Sequence, residues 1–316
     1  MSDTLREAAE TAVHQCMAVE AGESCVVVTD DKRRHVGETL YEVACEVTDD
    51  AVLLRYPPGE QHGTEPPAPV AAAMADTDVA LAPTTKSLSH TRARKRATDA
   101  GARVATLPGI TEEVMIAGLD ADYETIARHC RAVHDRVADA DEIRVTTPAG
   151  TDLTVAPGGR SWLTDTGMVH ADGDFSNLPA GEVFVSPETA NGTYVVDGTM
   201  MPHGLIEEPI RFEVEDGYVT HISDDAVREQ VDAGREQVGR DAANLAELGI
   251  GTNVGVTDLV GSVLLDEKAA GTVHVAIGDD ASIGGDTEAP LHLDGIIRDP
   301  TVYADGTPVE LPSVEP

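Results

Sequence analysis

Short apolar runs alternate with amphipathic segments through the first 140 residues of the chain. The segment TLREAAETAVHQCMAVEAG places Leu5, Ala8 and Ala12 at helical spacing, and the run SCVVVTD that follows is apolar and ends in a polar turn. Similar pairs recur as far as ARVATLP. Such apolar runs are typical of strands buried on both faces. The alternation predicts a parallel sheet covered by helices, closed by a long helix from about Asp122 to Ala138.

The pattern changes in the second half, where strand-like runs dominate. Two such runs flank PAGT in DEIRVTTPAGTDLTVAP, which predicts a hairpin. Further strands are expected in GEVFVSP, GTYVVDG, IRFEVEDGYVTHI and GTVHVAIG, with one helical segment from Asp225 to Leu248. We therefore predict an α/β plus α+β fold. A Rossmann-like parallel-sheet domain over 1–140 precedes a mixed, mainly antiparallel domain over 141–316. No GxGxxG motif follows the first strand, so a dinucleotide site is not predicted.

The chain is strongly acidic. It has 57 acidic and 22 basic residues, and its formal net charge is −35. The acids are spread along the whole chain, which favours a proteome adapted to high salt over a strongly basic partner. Nucleic acid is excluded as a partner on either interpretation, because phosphate binding needs clustered positive charge.

Two short segments of the first half concentrate basic residues, DDKRRH and SHTRARKR. One interpretation is surface charge that is paired locally with acids. The other is a positive patch for a substrate carboxylate or a subunit contact. The sequence leaves both open.

The sequence shows no membrane-spanning segment, no signal peptide and no closely spaced cysteine pair. No apolar run approaches the roughly 18 to 20 residues of a membrane span, and the N-terminus lacks the pattern of a signal peptide. We expect a cytoplasmic protein with no membrane partner. The four cysteines (Cys16, Cys25, Cys45 and Cys130) form no close pair and are interpreted as core residues or free thiols. Any bound metal must therefore have nitrogen and oxygen ligands.

The stretch PLHLDGIIRDP contains the first candidate for chemistry. In a strand, His292 and Asp294 would point to the same face, and polar groups in such an apolar setting need a partner or a metal. Other candidates stand beside glycines and apolar residues: Glu182, Glu247, Glu267 and His274. Each could be an ordinary polar residue satisfied in place. Together they form a nitrogen and oxygen set that suits Zn, Co, Mn or Fe, with enough carboxylates for two ions.

Several of these segments resemble the aminopeptidase T family of metallo-aminopeptidases. The similar motifs are NLPAGEVFVSP, AELGIGTN, GTVHVAIGDD and LHLDGI…DPTVYADG, together with SLSHTRARKRATDAGARVATLPGIT in the first half. The resemblance covers most of the chain and is closest to the short members. It implies a two-metal aminopeptidase that releases N-terminal amino acids from peptides, with Zn, Co or Mn as cofactor, commonly as a homodimer.

The resemblance also assigns roles to single residues. The family's metal ligands fall on Glu182, Glu247, His274, His292 and Asp294. Glu267 is the candidate for a further ligand, at a spacing two residues longer than in the family. Glu182 or Glu247 would serve as ligand or general base. Arg160 would hold the intermediate or a substrate carboxylate, or would instead form a structural pair with Asp165.

One departure from the family keeps a second function open. The family's tyrosine after the first histidine motif has no counterpart here, where the chain reads GDDASIGG. The 2,5-dihydroxypyridine dioxygenases resemble short members of the same superfamily. On that interpretation, a single Fe(II) would be held by His274, His292 and Asp294, a two-histidine, one-carboxylate set. A non-catalytic metal-binding relative is the third possibility.

Overall fold

A computed structural model describes residues 3–313, and the chain within it divides into two compact units. The first comprises the chain up to Ala127 together with Asp165–Ala180, and the second comprises Arg128–Thr164 together with the chain from Gly181 onward. The sequence analysis placed one boundary after residue 140. The chain instead leaves the first unit within a long helix and returns to it once.

The helices and strands are numbered in chain order. The α-helices are α1 Asp3–Glu10, α2 Arg34–Val47, α3 Ala68–Ala75, α4 Arg92–Asp99, α5 Glu112–Leu119, α6 Tyr123–Val137, α7 Asp225–Val238 and α8 Val263–Asp266. A π-helical turn, Thr11–Cys16, continues α1, and 3-10 turns lie at Gly239–Ala243 and Ala281–Ile283. The strands of the first half are β1 Cys25–Asp30, β2 Ala51–Tyr56, β3 Val79–Thr84 and β4 Arg103–Pro108. The remaining strands are β5 Ile143–Thr146, β6 Asp152–Ala156, β7 Leu163–Asp165, β8 Phe175–Asn177, β9 Glu182–Val185, β10 Thr189–Val196, β11 Thr199–Met200, β12 Gly204–Leu205, β13 Ile210–Glu215, β14 Tyr218–Ile222, β15 Leu245–Gly251, β16 Val273–Gly278, β17 His292–Ile297, β18 Thr301–Ala304 and β19 Thr307–Val309.

The first unit is built on a five-stranded parallel sheet in the order β2-β1-β3-β4-β8. β1 and β3 are buried at every position, as their apolar runs predict, whereas β2 is partly exposed. One face of the sheet packs on α3 and α4 through a core that includes Val26, Val70 and Met74. The short strand β8 comes from the returning segment, which is why that segment belongs to this unit.

The basic segments of the first unit are paired largely with nearby acids. Lys95 contacts Asp99 at 2.7 Å, and Arg92 contacts Glu65 at 3.3 Å. The Arg94 guanidinium lies over the Phe175 ring, 4.4 Å from its centre. Local pairing, the first of the two interpretations, therefore describes these contacts.

The second unit contains two seven-stranded sheets. One has the order β14-β13-β10-β6-β5-β18-β19, and the other has the order β12-β11-β17-β16-β15-β9-β7. β5 and β6 form the antiparallel pair predicted on either side of PAGT. The expected α/β plus α+β fold class is confirmed by the parallel sheet of one unit and the antiparallel pairing of the other.

The predicted helix over Asp225 to Leu248 is wrong after Val238. Helix α7 ends at Val238, and Gly239 then takes a left-handed φ of +70°, a conformation that favours glycine. After the 3-10 turn, the residues LAELGIG form β15, which is buried at all positions between β9 and β16. The helix-forming residues 245–248 are held in a strand here because pairing on both sides outweighs their local preference.

The structure bears on the expectations about membrane spans and about the cysteines. No helix in the described part of the chain has the length and apolar character needed to traverse a bilayer. None of the four cysteines, all of which lie in the described part of the chain, is in a disulfide; Cys16, Cys25 and Cys130 are buried and Cys45 is exposed.

Candidate metal centre

Four neighbouring strands of the second unit place polar side chains on one face of their sheet. β9, β15, β16 and β17 lie side by side. Glu182 on β9 is registered with Gly251 of β15, and His274 on β16 is registered with Gly249. Residues directly opposite each other in a sheet share a face, as do residues two apart along a strand. Glu182, Glu247 and His274 therefore project from the same side.

The same rule places the β17 residues on that face. Asp294 is registered with Ala276, and Ala276 is registered with Glu247 on the other side. His292, two residues from Asp294, is opposite Gly278. The sequence prediction that His292 and Asp294 point the same way in a strand is thus confirmed.

Small residues between these side chains leave room for them. A Cβ added to Gly249 would lie 2.1 Å from the Nε2 of His274, so the imidazole occupies space that a side chain at Gly249 would fill. Ala276, which separates Glu247 from Asp294, is fully buried. Gly249 and Ala276 thus leave space between the strands' polar side chains because their own side chains are absent or small.

The side chains meet around Glu247. Its Oε1 lies 3.2 Å from the Nε2 of His274, and its Oε2 lies 3.4 Å from the Nε2 of His292. His292 Nε2 is also 3.3 Å from the Oδ1 of Asp294, and His274 Nε2 is 3.4 Å from the Oε2 of Glu182. Two overlapping groups have ligand atoms close enough for one metal ion each: Glu182, Glu247 and His274 form one, and Glu247, His292 and Asp294 form the other.

The chain fixes the orientation of the His292 ring. Its Nδ1 donates a hydrogen bond of 2.7 Å to the backbone carbonyl of Asp279. With the proton on Nδ1, the lone pair of the neutral ring lies on Nε2, the atom that faces Glu247 and Asp294. Metal-binding histidines are commonly held in this way. The His292 side chain is 34% exposed, whereas those of His274 and Glu247 are buried, so the pocket opens to solvent at β17.

The electrostatics of the pocket favour positive charge. Burial, opposed by the ammonium of Lys268, raises the pKa of Glu182 to about 8. Burial also disfavours the charged form of His274, but hydrogen bonding and nearby charge from Glu247, Glu182 and Glu267 raise the pKa of His274 to about 9. Carboxylates packed this closely are stabilised when a cation lies among them.

Lys268 is the residue of this pocket that sequence reasoning missed. Its side chain is 3% exposed, and its ammonium makes an ion pair with Glu182 Oε1 and contacts Glu267 Oε1 at 2.8 Å. Glu267 caps the end of α8 and belongs to neither group of metal-ligand atoms among the described residues. A buried lysine between two carboxylates has no local sequence signature. The DEK triplet does show that Glu267 and Lys268 are neighbours in the chain.

Arg160 lies in a different network from the cluster. It donates hydrogen bonds to Ser186 Oγ at 2.8 Å and to the Pro187 carbonyl at 2.9 Å, and it contacts Asp280 at 3.5 Å. Asp165, the alternative partner proposed for Arg160, accepts a hydrogen bond of 2.7 Å from Ser176 Oγ.

The network around Arg160 supports the turn that orients His292. Asp280, which is buried, accepts hydrogen bonds from Ser186 Oγ at 2.9 Å, Asn244 Nδ2 at 2.9 Å and the Thr287 backbone N–H at 2.7 Å. The residue before it in the chain supplies the carbonyl that holds the imidazole. The structure thus places Arg160 next to a structural support of the site.

The residues present fit a divalent metal ion. Buried Glu182 Oε2 has no hydrogen-bond partner among the described residues, which is costly unless a cation satisfies it. Imidazole nitrogens and carboxylate oxygens suit Fe, Mn, Co and Zn. A metal-binding enzyme pocket is therefore the natural interpretation of the cluster.

Two solved structures share the fold of the whole chain. The structure of 2,5-dihydroxypyridine dioxygenase from Pseudomonas putida KT2440 superposes with a TM-score of 0.78 at 21% identity, over 96% of this chain and 94% of that one. Wild-type AmpT from Thermus thermophilus superposes with a TM-score of 0.69 at 21% identity, over 96% of each chain. The expected likeness to a metallopeptidase is thus confirmed for the fold.

Sequence comparison distinguishes the two relatives. The chain is 25% identical over 202 residues to 2,5-dihydroxypyridine 5,6-dioxygenase of Pseudomonas putida KT2440, a match covering 60% of this chain and 55% of that protein. The family model described as NicX, 2,5-dihydroxypyridine 5,6-dioxygenase, matches residues 4–311. The chain has the fold of both enzymes, and by sequence it belongs to the 2,5-dihydroxypyridine 5,6-dioxygenase family.

Proposed function

We propose that the chain is a single-metal, ring-cleaving dioxygenase acting on a dihydroxypyridine or a similar electron-rich hydroxylated ring. The observation that carries this proposal is the state of Glu182. A second ion would need this carboxylate, but its Oε1 is already ion-paired with Lys268, which leaves only Oε2 facing the cluster. We assign the one ion to His274, His292 and Asp294, a two-histidine, one-carboxylate set. In the structure Glu247 lies between the two imidazoles, and the ligand atoms within reach of one ion at β17 are those of Glu247, His292 and Asp294.

Each of these residues has a definite task in the proposed enzyme. The Asp279 carbonyl keeps the Nε2 of His292 aimed into the pocket, and Glu247 sets the separation of the two imidazoles through its two oxygens. The partly exposed side of the cluster at His292 offers an entry for a flat ring. A ferrous ion held there would supply the one-electron chemistry that allows dioxygen to react with such a ring.

Oxygen consumption by the iron-loaded protein tests the proposal. The chain is loaded anaerobically with Fe(II) in high-salt buffer and mixed with 2,5-dihydroxypyridine in an oxygen electrode. We expect equal consumption of oxygen and substrate, with close to one iron per chain by elemental analysis. His292→Ala removes a ligand, so its loss of iron affinity should exceed the roughly 10- to 100-fold effect of a typical second-shell change.

A matched variant controls for the loss of any histidine. His221 lies on β14 in the other sheet of the same unit and is exposed, so His221→Ala should keep both iron and oxygen uptake. An iron-loaded protein that consumes no oxygen with any hydroxylated pyridine would contradict the proposal.

The aminopeptidase function remains a second candidate because of one specific feature. Glu247 belongs to both groups of ligand atoms, as a carboxylate that bridges two ions would. This function requires two ions per chain and cleavage of amino-acid p-nitroanilides in high salt. The same elemental analysis, combined with an anilide panel, separates it from the dioxygenase.

A further inference from the structure

Lys268 is an unusual residue in this chain. It is one of only four lysines, and it is buried, whereas Lys32 and Lys95 are exposed and Lys86 is partly exposed. A lysine is rarely buried unless its ammonium is paired. Here the pairing is with two carboxylates of the candidate metal centre, Glu182 and Glu267.

The backbone holds Lys268 in place. Its carbonyl accepts a hydrogen bond of 2.8 Å from Asn253, and its N–H donates to the Leu265 carbonyl at 3.0 Å. This segment packs directly on β15, because a Cβ at Gly251 would lie 2.1 Å from the carbonyl oxygen of Ala269. The ammonium therefore reaches the carboxylates from a fixed backbone, as a built-in group of the pocket.

The positive charge of the Lys268 ammonium balances part of the negative charge of the pocket. Four carboxylates surround the pocket, those of Glu182, Glu247, Glu267 and Asp294. One divalent ion together with one ammonium supplies three positive charges to these carboxyl groups, and two divalent ions would supply four. A second dication beside the ammonium would add repulsion at close range.

We infer that the Lys268 ammonium takes the place of a second divalent ion and so limits the centre to one metal. This inference deepens the proposed function and rests on its one-metal site. Glu182 and Glu267, which the sequence analysis assigned to metal, bind the lysine in this chain. Removing the lysine side chain should convert them into a second, oxygen-rich cation site of the kind that Mn²⁺ accepts.

Counting Mn²⁺ ions in a lysine variant tests the inference without any activity measurement. Lys268→Ala opens the space and removes the charge, and it should bind two Mn²⁺ per chain after dialysis, where the wild type binds one. Lys95→Ala, which removes an exposed lysine paired with Asp99, is the matched control and should bind one. The double variant Lys268→Ala with Glu267→Gln should fall back to one, because the new site loses a carboxylate.

The remaining outcomes also decide the matter. A folded Lys268→Ala protein that still binds one Mn²⁺, or a wild type that binds two, would overturn the inference. If Lys268→Ala is unfolded in metal-free buffer, Mn²⁺ should restore its circular dichroism, and failure to do so counts equally against it. A wild type that binds one ion but consumes no oxygen would contradict the proposed reaction. The inference about Lys268 would then still be decided by the number of Mn²⁺ ions that Lys268→Ala binds.

Discussion

The metal pocket depends on residues that carry no charge as much as on its ligands. The His274 imidazole can approach β15 this closely only because Gly249 has no side chain there. This requirement is steric, since the φ of Gly249 is not in the left-handed region. The glycines of AELGIGTN are therefore part of the site, although they offer no ligand atom.

Replacement of Gly249 by alanine should damage metal binding more than folding. The new Cβ would lie 2.1 Å from Nε2 of His274 and displace the ring. We expect metal affinity to fall roughly 10- to 100-fold, with a stability loss of about 1–3 kcal/mol from overpacking. Metal titration and thermal unfolding measure the two effects. Gly59→Ala is the control, because its Cβ would meet no atom nearer than 3.5 Å. Unchanged affinity in the Gly249 variant would refute this role.

At the scale of secondary structure, the order of four strands assembles the site. The ligand candidates are far apart in sequence, but β9, β15, β16 and β17 are adjacent in the sheet. Helix α7 delivers the chain to β15, and its ends are well defined. Asp224 accepts a hydrogen bond of 2.9 Å from the Val227 N–H at its start, and Gly239 ends it.

Loss of the cap at Asp224 should destabilise the second unit. Asp224→Ala removes the acceptor for the first turn of α7 and a 3.1 Å contact with His203, so we expect a loss of about 1 kcal/mol in the free energy of unfolding. Urea denaturation followed by circular dichroism measures it. Asp225→Ala, next in sequence but with a side chain 83% exposed, should change stability by less than about 0.5 kcal/mol. Equal effects of the two changes would argue against a capping role.

At the scale of the whole molecule, the main feature is a large excess of negative charge. With a net charge of −35, the folded chain concentrates negative charge that the unfolded chain spreads out. Ion pairs such as Arg144–Asp152 are exposed and contribute little individually. Screening by salt is then the main way to weaken the repulsion between these charges. The Debye length falls from about 10 Å at 0.1 M to about 3 Å at 1 M ionic strength.

Stability should therefore rise steeply with salt. We expect the midpoint of thermal unfolding to increase between dilute buffer and molar KCl, and the structure to be lost in dilute buffer. Circular dichroism at a series of KCl concentrations measures this. A neutral osmolyte at matched concentration controls for effects that do not involve charge. Native circular dichroism retained at low ionic strength, with a midpoint independent of KCl, would show that repulsion is unimportant.

The sequence by itself determined most of the elements and the chemical type of the site. Buried strands such as β1 and β3 and the long helix α6 follow from local periodicity, which is set by backbone geometry. His292 and Asp294 were expected on one face of a strand because alternation along a strand is also local. The nitrogen and oxygen character of the pocket followed from residue type alone.

The tertiary structure decided the features that depend on neighbours distant in the chain. β15 is a strand because β9 and β16 pair with it, against the helical preference of its first four residues. The return of Asp165–Ala180 to the first unit and the position of Arg160 beside Asp280 have the same origin. Most important, the pairing of Lys268 with Glu182 joins residues 86 positions apart, and no local pattern encodes such a contact. Long-range packing alone thus decided which carboxylates the lysine contacts.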